Sequence, residues 1–238
     1  MNTWHLVAAA FVEFVGATVQ GTVGFGVNLI AAPLLLLIDP RYVPGPALLA
    51  SLILGLFVAA DARAHVDLKG LGWGMSGRIP GTILGAFALK TIPQEGLGLA
   101  SASLLLAAVL ISIAPWHVGL NVRSLTLAGV FSGFMSSTVA VGGPPMALVY
   151  RDAKGSVLRG TMSLYGAFGS IAALISLFAF GRLEAQSLMM IGPLLPGLAG
   201  GFLLSRRLSP SFDDKRVRVA VLVISLAATF ATFVRELT

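Results

Sequence analysis

Two ionisable side chains sit where ionisable side chains are expensive. Arg78 lies about eight residues into an apolar block that begins near residue 70, roughly 12 Å along a helix from its end. An arginine near the centre of a membrane helix costs about 2.5–3.5 kcal/mol on the insertion scale, so a chain that keeps one usually needs the charge. Its planar fork suits a bidentate oxyanion such as a carboxylate, sulfonate or sulfite. The bland alternative is an arginine that snorkels or pairs with Glu13, the other charged residue inside an apolar block. Glu13 could take up a proton and couple transport to it; it could equally be a counter-ion for Arg78 or face the headgroups.

Two stretches supply uncharged polar groups. Gln20, Gly21, Thr22, Gly24, Gly26 and Asn28 interrupt the first apolar block; Ser136, Ser137, Thr138, Gly142, Gly143 and Pro144 interrupt the fifth. A broken helix inside a bilayer leaves backbone groups unpaired, which costs several kcal/mol per group unless something binds them. Freed N–H groups and helix N-termini favour an anion, and a matching break in each half of a chain is the best sequence pointer to a transport site. Against this stands the ordinary role of Ser and Thr, which bond back to the preceding turn and patch the break.

Other chemistries find no support. Gly21-Thr22-Val23-Gly24-Phe25-Gly26 has no preceding strand and no acidic residue at the right distance, so it is not a dinucleotide fingerprint. His5, His65 and His117 show no ligand spacing, no Ser–His–Asp set can be assembled, and cysteine is absent, which removes disulfides, thiolate zinc sites and cysteine nucleophiles. We therefore expect neither enzyme activity, nor a metal, nor a cofactor. Ser163 and Tyr165 in the sixth block could line a cavity or simply pack.

The elements that must position these residues are membrane helices. Of 238 residues 56% are hydrophobic and 11% charged, against about 25% charged in a soluble domain. The apolar residues run in long blocks, without the roughly ten-residue alternating segments of a β-barrel. The net charge of +6 reads as the positive-inside bias of membrane loops; no basic stretch is interleaved with aromatics as a nucleic-acid face would be. The first twenty residues lack a basic start and Glu13 interrupts them, unlike a signal peptide. Hydropathy blocks fall at 4–38, 43–61, 70–90, 96–114, 124–150, 160–181, 186–205 and 217–234. Most match the roughly 20 residues of one span, and the overlong first and fifth divide at their glycine clusters into hairpins.

The chain also repeats. An offset of 116 puts Thr22 on Thr138, Val23 on Val139, Gly26 on Gly142, Pro80-Gly81 on Pro196-Gly197 and Gly85 on Gly201. Gly77, Gly81 and Gly85, like Gly197 and Gly201, make small faces suited to close helix packing. With hairpins at blocks one and five, one face carries Arg63, Lys69, Arg123, Arg151, Lys154, Arg159, Arg206, Arg207, Lys215, Arg216 and Arg218, and the other Arg41, Lys90, Arg182 and Arg235. That split is 11 to 4; single spans there would give 10 to 5, so hairpins win narrowly, supported by segment length. The expected fold is an all-α integral membrane protein of two inverted structural repeats, 1–115 and 116–238, each a glycine-broken helical hairpin plus three transmembrane helices. Both termini fall outside and the basic loops inside.

These residues resemble the TauE/SafE sulfite-exporter family of membrane permeases. The resemblance is carried by the two glycine-broken segments, by the Pro-Gly-x-x-x-Gly run in each half, and above all by Val141-Gly142-Gly143-Pro144-Pro145; the first motif has Val27-Asn28 where the second has Gly143-Pro144. It implies a bacterial inner-membrane carrier of small sulfur-containing anions, such as sulfite, sulfoacetate or other organosulfonates, with direction open. The expectation is thus a secondary transporter working by alternating access. A passive anion channel and a non-transporting membrane assembly subunit are the alternatives. Expected partners are the small anion, the lipid bilayer and a coupling ion, proton or sodium, with a homodimer compatible and nucleic acid excluded.

Overall fold

The computed structural model describes residues 3–183, 188–208 and 214–237, without side-chain detail at 94–95, 214–221 and 235–237. Lys215, Arg216, Arg218 and Arg235 of the charge count fall outside those described side chains. Ten α-helices are described: α1 (Thr3–Val23), α2 (Val27–Ile38), α3 (Gly45–Asp61), α4 (Leu68–Thr91), α5 (Gln94–Ile113), α6 (Val122–Val139), α7 (Gly143–Val149), α8 (Gly155–Ala179), α9 (Leu194–Leu208) and α10 (Asp214–Leu237). No strand occurs among the described residues.

Both overlong blocks break where expected, by different means. Between α1 and α2 the chain turns on Gly24 (φ 97°) and Gly26 (φ 109°), a left-handed backbone that glycine adopts without strain. Between α6 and α7 it turns on Ala140 (φ 61°), and Pro144 and Pro145 then occupy the first turn of α7, where their missing N–H groups cost nothing. The return arms differ too, 12 residues in α2 and 7 in α7. In the seventh hydropathy block the helix α9 begins at Leu194, one residue after Pro193.

The tightest packing uses the glycine faces. On α4, a Cβ at Gly77, Gly81 or Gly85 would run into the backbone of Thr126, Val130 and Phe134 on α6. On α9, Gly197 and Gly201 lie equally close to the backbone of Ala10 and Phe14 on α1. Small residues let helix backbones touch, which is how helices associate where no hydrophobic drive separates protein from lipid. The offset of 116 maps α1–α5 onto α6–α10 in order, and the packing follows it with partners exchanged: α4 lies on α6 and α9 on α1, while α3 packs on α8 and α5 on α10.

Interhelical contacts gather the basic loops on one face. Arg151 Nη1 donates to Ala114 O at 2.9 Å, Arg159 pairs with Asp61, and the Tyr150 hydroxyl donates to Asp67 at 2.8 Å. On the opposite face Arg182 Nη2 donates to Lys90 O at 3.1 Å. Among the described residues three helices (α1, α5 over Gly96–Ile113, and α8) are long and apolar enough to cross a membrane. Around the outside Phe11, Phe87, Phe131, Phe178 and Phe230 are each more than half exposed. An apolar belt of this kind is a lipid-facing surface.

Candidate functional site

The two breaks meet in the middle of the bundle. Asn28, in the first turn of α2, donates through Nδ2 to Ala140 O at 2.8 Å and to Ser51 Oγ of α3 at 2.8 Å, tying one break to the other. A Cβ at Gly143 would rest 3.4 Å from the Phe25 ring. Between the breaks lies a cavity of about 50 Å³. That is room for a few waters or one small anion, since a single water needs only about 10–15 Å³ on this measure.

Arg78 enters this cavity from α4 and is 2% exposed. Its Nη1 donates to Tyr165 O at 3.2 Å and its Nη2 to Ser136 Oγ at 3.2 Å, while its Nε has no partner. The guanidinium carbon stands 4.2 Å from the centroid of the Tyr165 ring, close enough for a cation–π contact. Room for the guanidinium comes from two glycines: a side chain at Gly169 on α8 would overlap it, and a Cβ at Gly142 would come within 2.8 Å of Nη2. Ser132 on α6 donates to Gly142 O, which holds the second break in place. Among the described residues no carboxylate lines the cavity, and none pairs with Arg78. The Arg78–Glu13 pair considered from sequence does not form.

The residues singled out from sequence separate into two groups. Gln20, Gly24, Gly26, Asn28, Arg78, Ser136, Gly142, Gly143 and Pro144 border the cavity. Gln20 does so while its Oε1 accepts from Val27 N at 3.3 Å, capping α2. Four others face elsewhere. Gly21 packs on Ser205 of α9. Thr22 bonds back to Thr18 O at 3.1 Å and Val19 O at 2.9 Å, and Thr138 to Phe134 O at 2.9 Å. Ser137 accepts no such solitary role: its hydroxyl reaches Thr82 O at 3.0 Å across the α4–α6 seam. Glu13 is fully buried, apart from the cavity lining, and neither of its carboxyl oxygens has a hydrogen-bond partner.

Tyr165, which the sequence offered as a cavity residue, lines the cavity, but sequence reasoning left out the rest of the α8 wall. Met162, Gly166 and Ser170 join Tyr165 along one side of the cavity, and Gly169 shapes the space for Arg78. The signal was present as a run of small residues near Tyr165, but without the fold it cannot be told from a packing face. Ser163, offered with Tyr165, instead donates to Gly24 O at 3.0 Å and anchors the first break.

An all-helical bundle, among the described residues, with an apolar belt and a buried cation between two broken helices marks a multi-pass membrane protein. A protein-family model described as "Sulfite exporter TauE/SafE" matches residues 8–232, nearly the whole chain, and the chain belongs to that family. The family is one of membrane exporters of sulfite and related sulfur anions. Comparisons with curated proteins and with solved structures gave no match.

Proposed function

We propose that this chain is a secondary carrier of small sulfur oxyanions, organosulfonates or sulfite, which bind in the central cavity with Arg78 as counter-charge. The observation that carries this reading is the Arg78 guanidinium, 2% exposed, with a free Nε and no carboxylate partner among the described residues. A buried charge is strongly unfavourable until paired, so the cavity is most stable with an anion in it. Ser136 borders the same space and its hydroxyl supplies a polar contact to the oxyanion, whereas Asn28 spends its amide N–H groups on Ala140, Ser51 and Ala47 and shapes the cavity wall.

The carrier works by alternating access, with 1–115 and 116–238 as inverted repeats. Three features support this: the odd number of crossings in each half, the offset of 116, and the exchange of packing partners between halves. The basic face is cytoplasmic, the membrane is a bacterial inner membrane, and both termini lie outside. Glu13, buried and unpaired but outside the cavity, takes the role of the coupling-proton site.

Thermal-shift titration of detergent-purified protein against sulfite, sulfate and small sulfonates identifies the ligand, and Arg78→Ala tests the site. Truncating one side of a buried charge pair costs about 2–5 kcal/mol, so the variant should fold yet bind the anion ~100-fold more weakly or worse. Undiminished binding by Arg78→Ala overturns the assignment. Saturable exchange of labelled for unlabelled anion in proteoliposomes distinguishes a carrier from a channel.

A further inference from the structure

A second, much larger cavity of about 550 Å³ opens on the face away from the basic loops. Arg41 and Arg182 border it, as do Val43, Leu89 and Ser101, and Thr138 lies at the end of α6, two residues before Ala140 of the central cavity. Its two arginines are differently engaged. Arg41 is paired with Asp39 at 2.7 Å, whereas Arg182 donates to the carbonyls of Lys90 and Ile92 and has no carboxylate partner among the described residues.

The offset of 116 gives Leu89 and Val43 counterparts near the basic face, and there both positions are packed against the first break. The counterpart of Leu89 is Ser205, which fills the space beside Gly21. The counterpart of Val43 is Arg159, whose backbone abuts Gly24 and whose Nε donates to Gly21 O at 2.8 Å. Arg159 Nη2 also holds Asp61 at 2.8 Å, and Arg206 of α9 reaches the other Asp61 oxygen at 3.7 Å. A single carboxylate at the end of α3 thereby joins α8, α9 and the tip of the first hairpin. The group is partly solvent-exposed, and exposed ion pairs hold weakly, so it can part without a large barrier.

The helix seams carry the same asymmetry. On α4 and α6, Gly81 faces Val130; on α9 and α1 its counterpart Gly197 faces Ala10, the counterpart of Thr126. The two seams therefore differ by four residues, one helical turn, or about 6 Å. One-turn steps of a helix past its neighbour are a known way to switch between two packed arrangements.

We propose that the large cavity is the access vestibule through which a small anion reaches the central site, and that Asp61, gripped by Arg159 and Arg206, is the gate on the opposite route. This inference rests on the carrier reading. In it the structure is the state open toward Arg182 and shut toward the basic face, and a one-turn exchange of the two glycine seams reverses the openings.

The chain has no cysteine, so single cysteines report access directly. Ser101→Cys, Thr138→Cys and Ser205→Cys are each treated, in detergent, with a negatively charged methanethiosulfonate reagent. Cysteines at 101 and 138 should react at least tenfold faster than at 205. Adding Asp61→Asn should raise the rate at 205 several-fold and lower it at 138. Equal rates at 138 and 205, or no change on adding Asp61→Asn, overturn the proposal. Should Asp61→Asn not fold, an Asp61→Cys/Arg206→Cys pair serves: its oxidised form should lose counterflow and regain it on reduction, and full counterflow while cross-linked is the contrary result. The cysteine reaction rates do not depend on which anion binds, so their failure is separable from failure of Arg78→Ala to weaken binding; the cross-linked pair is read with the anion that the thermal-shift titration identifies.

Discussion

The two hairpin breaks occupy corresponding places in the two halves and do different work. The first turns on glycines with positive φ and is wedged into α8, its Gly24 against the Arg159 backbone and its carbonyl held by Ser163. The second turns on Ala140 and borders the charge: Ser136 accepts from Arg78, and Ser132 secures Gly142 beside the guanidinium. At an offset of 116, Arg78 corresponds to Leu194, Ser136 to Gln20 and Ser132 to Gly16. Repetition of a backbone device thus leaves its chemistry free to diverge. Both tips border the central cavity, but the first is also wedged against a neighbouring helix, and the second meets the Arg78 side chain.

That contrast can be broken by substitution. The largest expected effect is at the wedge: Gly24→Ala adds a Cβ both at φ 97° and inside the Arg159 backbone, which should destabilise by about 2–4 kcal/mol. Gly143→Ala, whose Cβ would make an ordinary 3.4 Å contact with Phe25, should change the melting temperature little. If the two variants melt alike, the tips are not different in kind. Smaller and confined to binding is Tyr165→Leu, which removes the ring under the guanidinium; loss of a desolvated cation–π contact of about 1–2 kcal/mol predicts an anion Kd raised ~10-fold, with Tyr165→Phe close to unchanged. Smallest is Ser136→Ala, which deletes one hydrogen bond to Arg78 worth about 1 kcal/mol and should weaken binding several-fold in the same titration. An equal loss on Gln20→Ala would show that both tips contact the anion alike.

Much of this was legible from sequence because the governing energies are local or set by the bilayer. Overlong apolar blocks had to break, and Gly24, Gly26 and Gly142-Gly143-Pro144-Pro145 marked where. Arg78 stood out because a charge at that depth is costly whatever surrounds it. What stayed hidden depended on rotation about helix axes. Thr22 and Thr138 flank the breaks in sequence, yet their hydroxyls satisfy the preceding turn. Gly169 sits in a run of small residues that reads as a packing face; its meaning lies in a guanidinium arriving from α4, 91 residues earlier in the chain. The pairing of Arg78 with Glu13 was plausible on charge alone and fails because the two project from helices whose close partners differ, α6 for one and α9 for the other.

The lone guanidinium also bears on why both halves reside in one polypeptide. Two identical half-chains, assembled as these halves are, would set two arginines at the centre or none. Joining the halves end to end released them from that parity, so that one could keep Arg78 while the other placed Leu194 in the equivalent position.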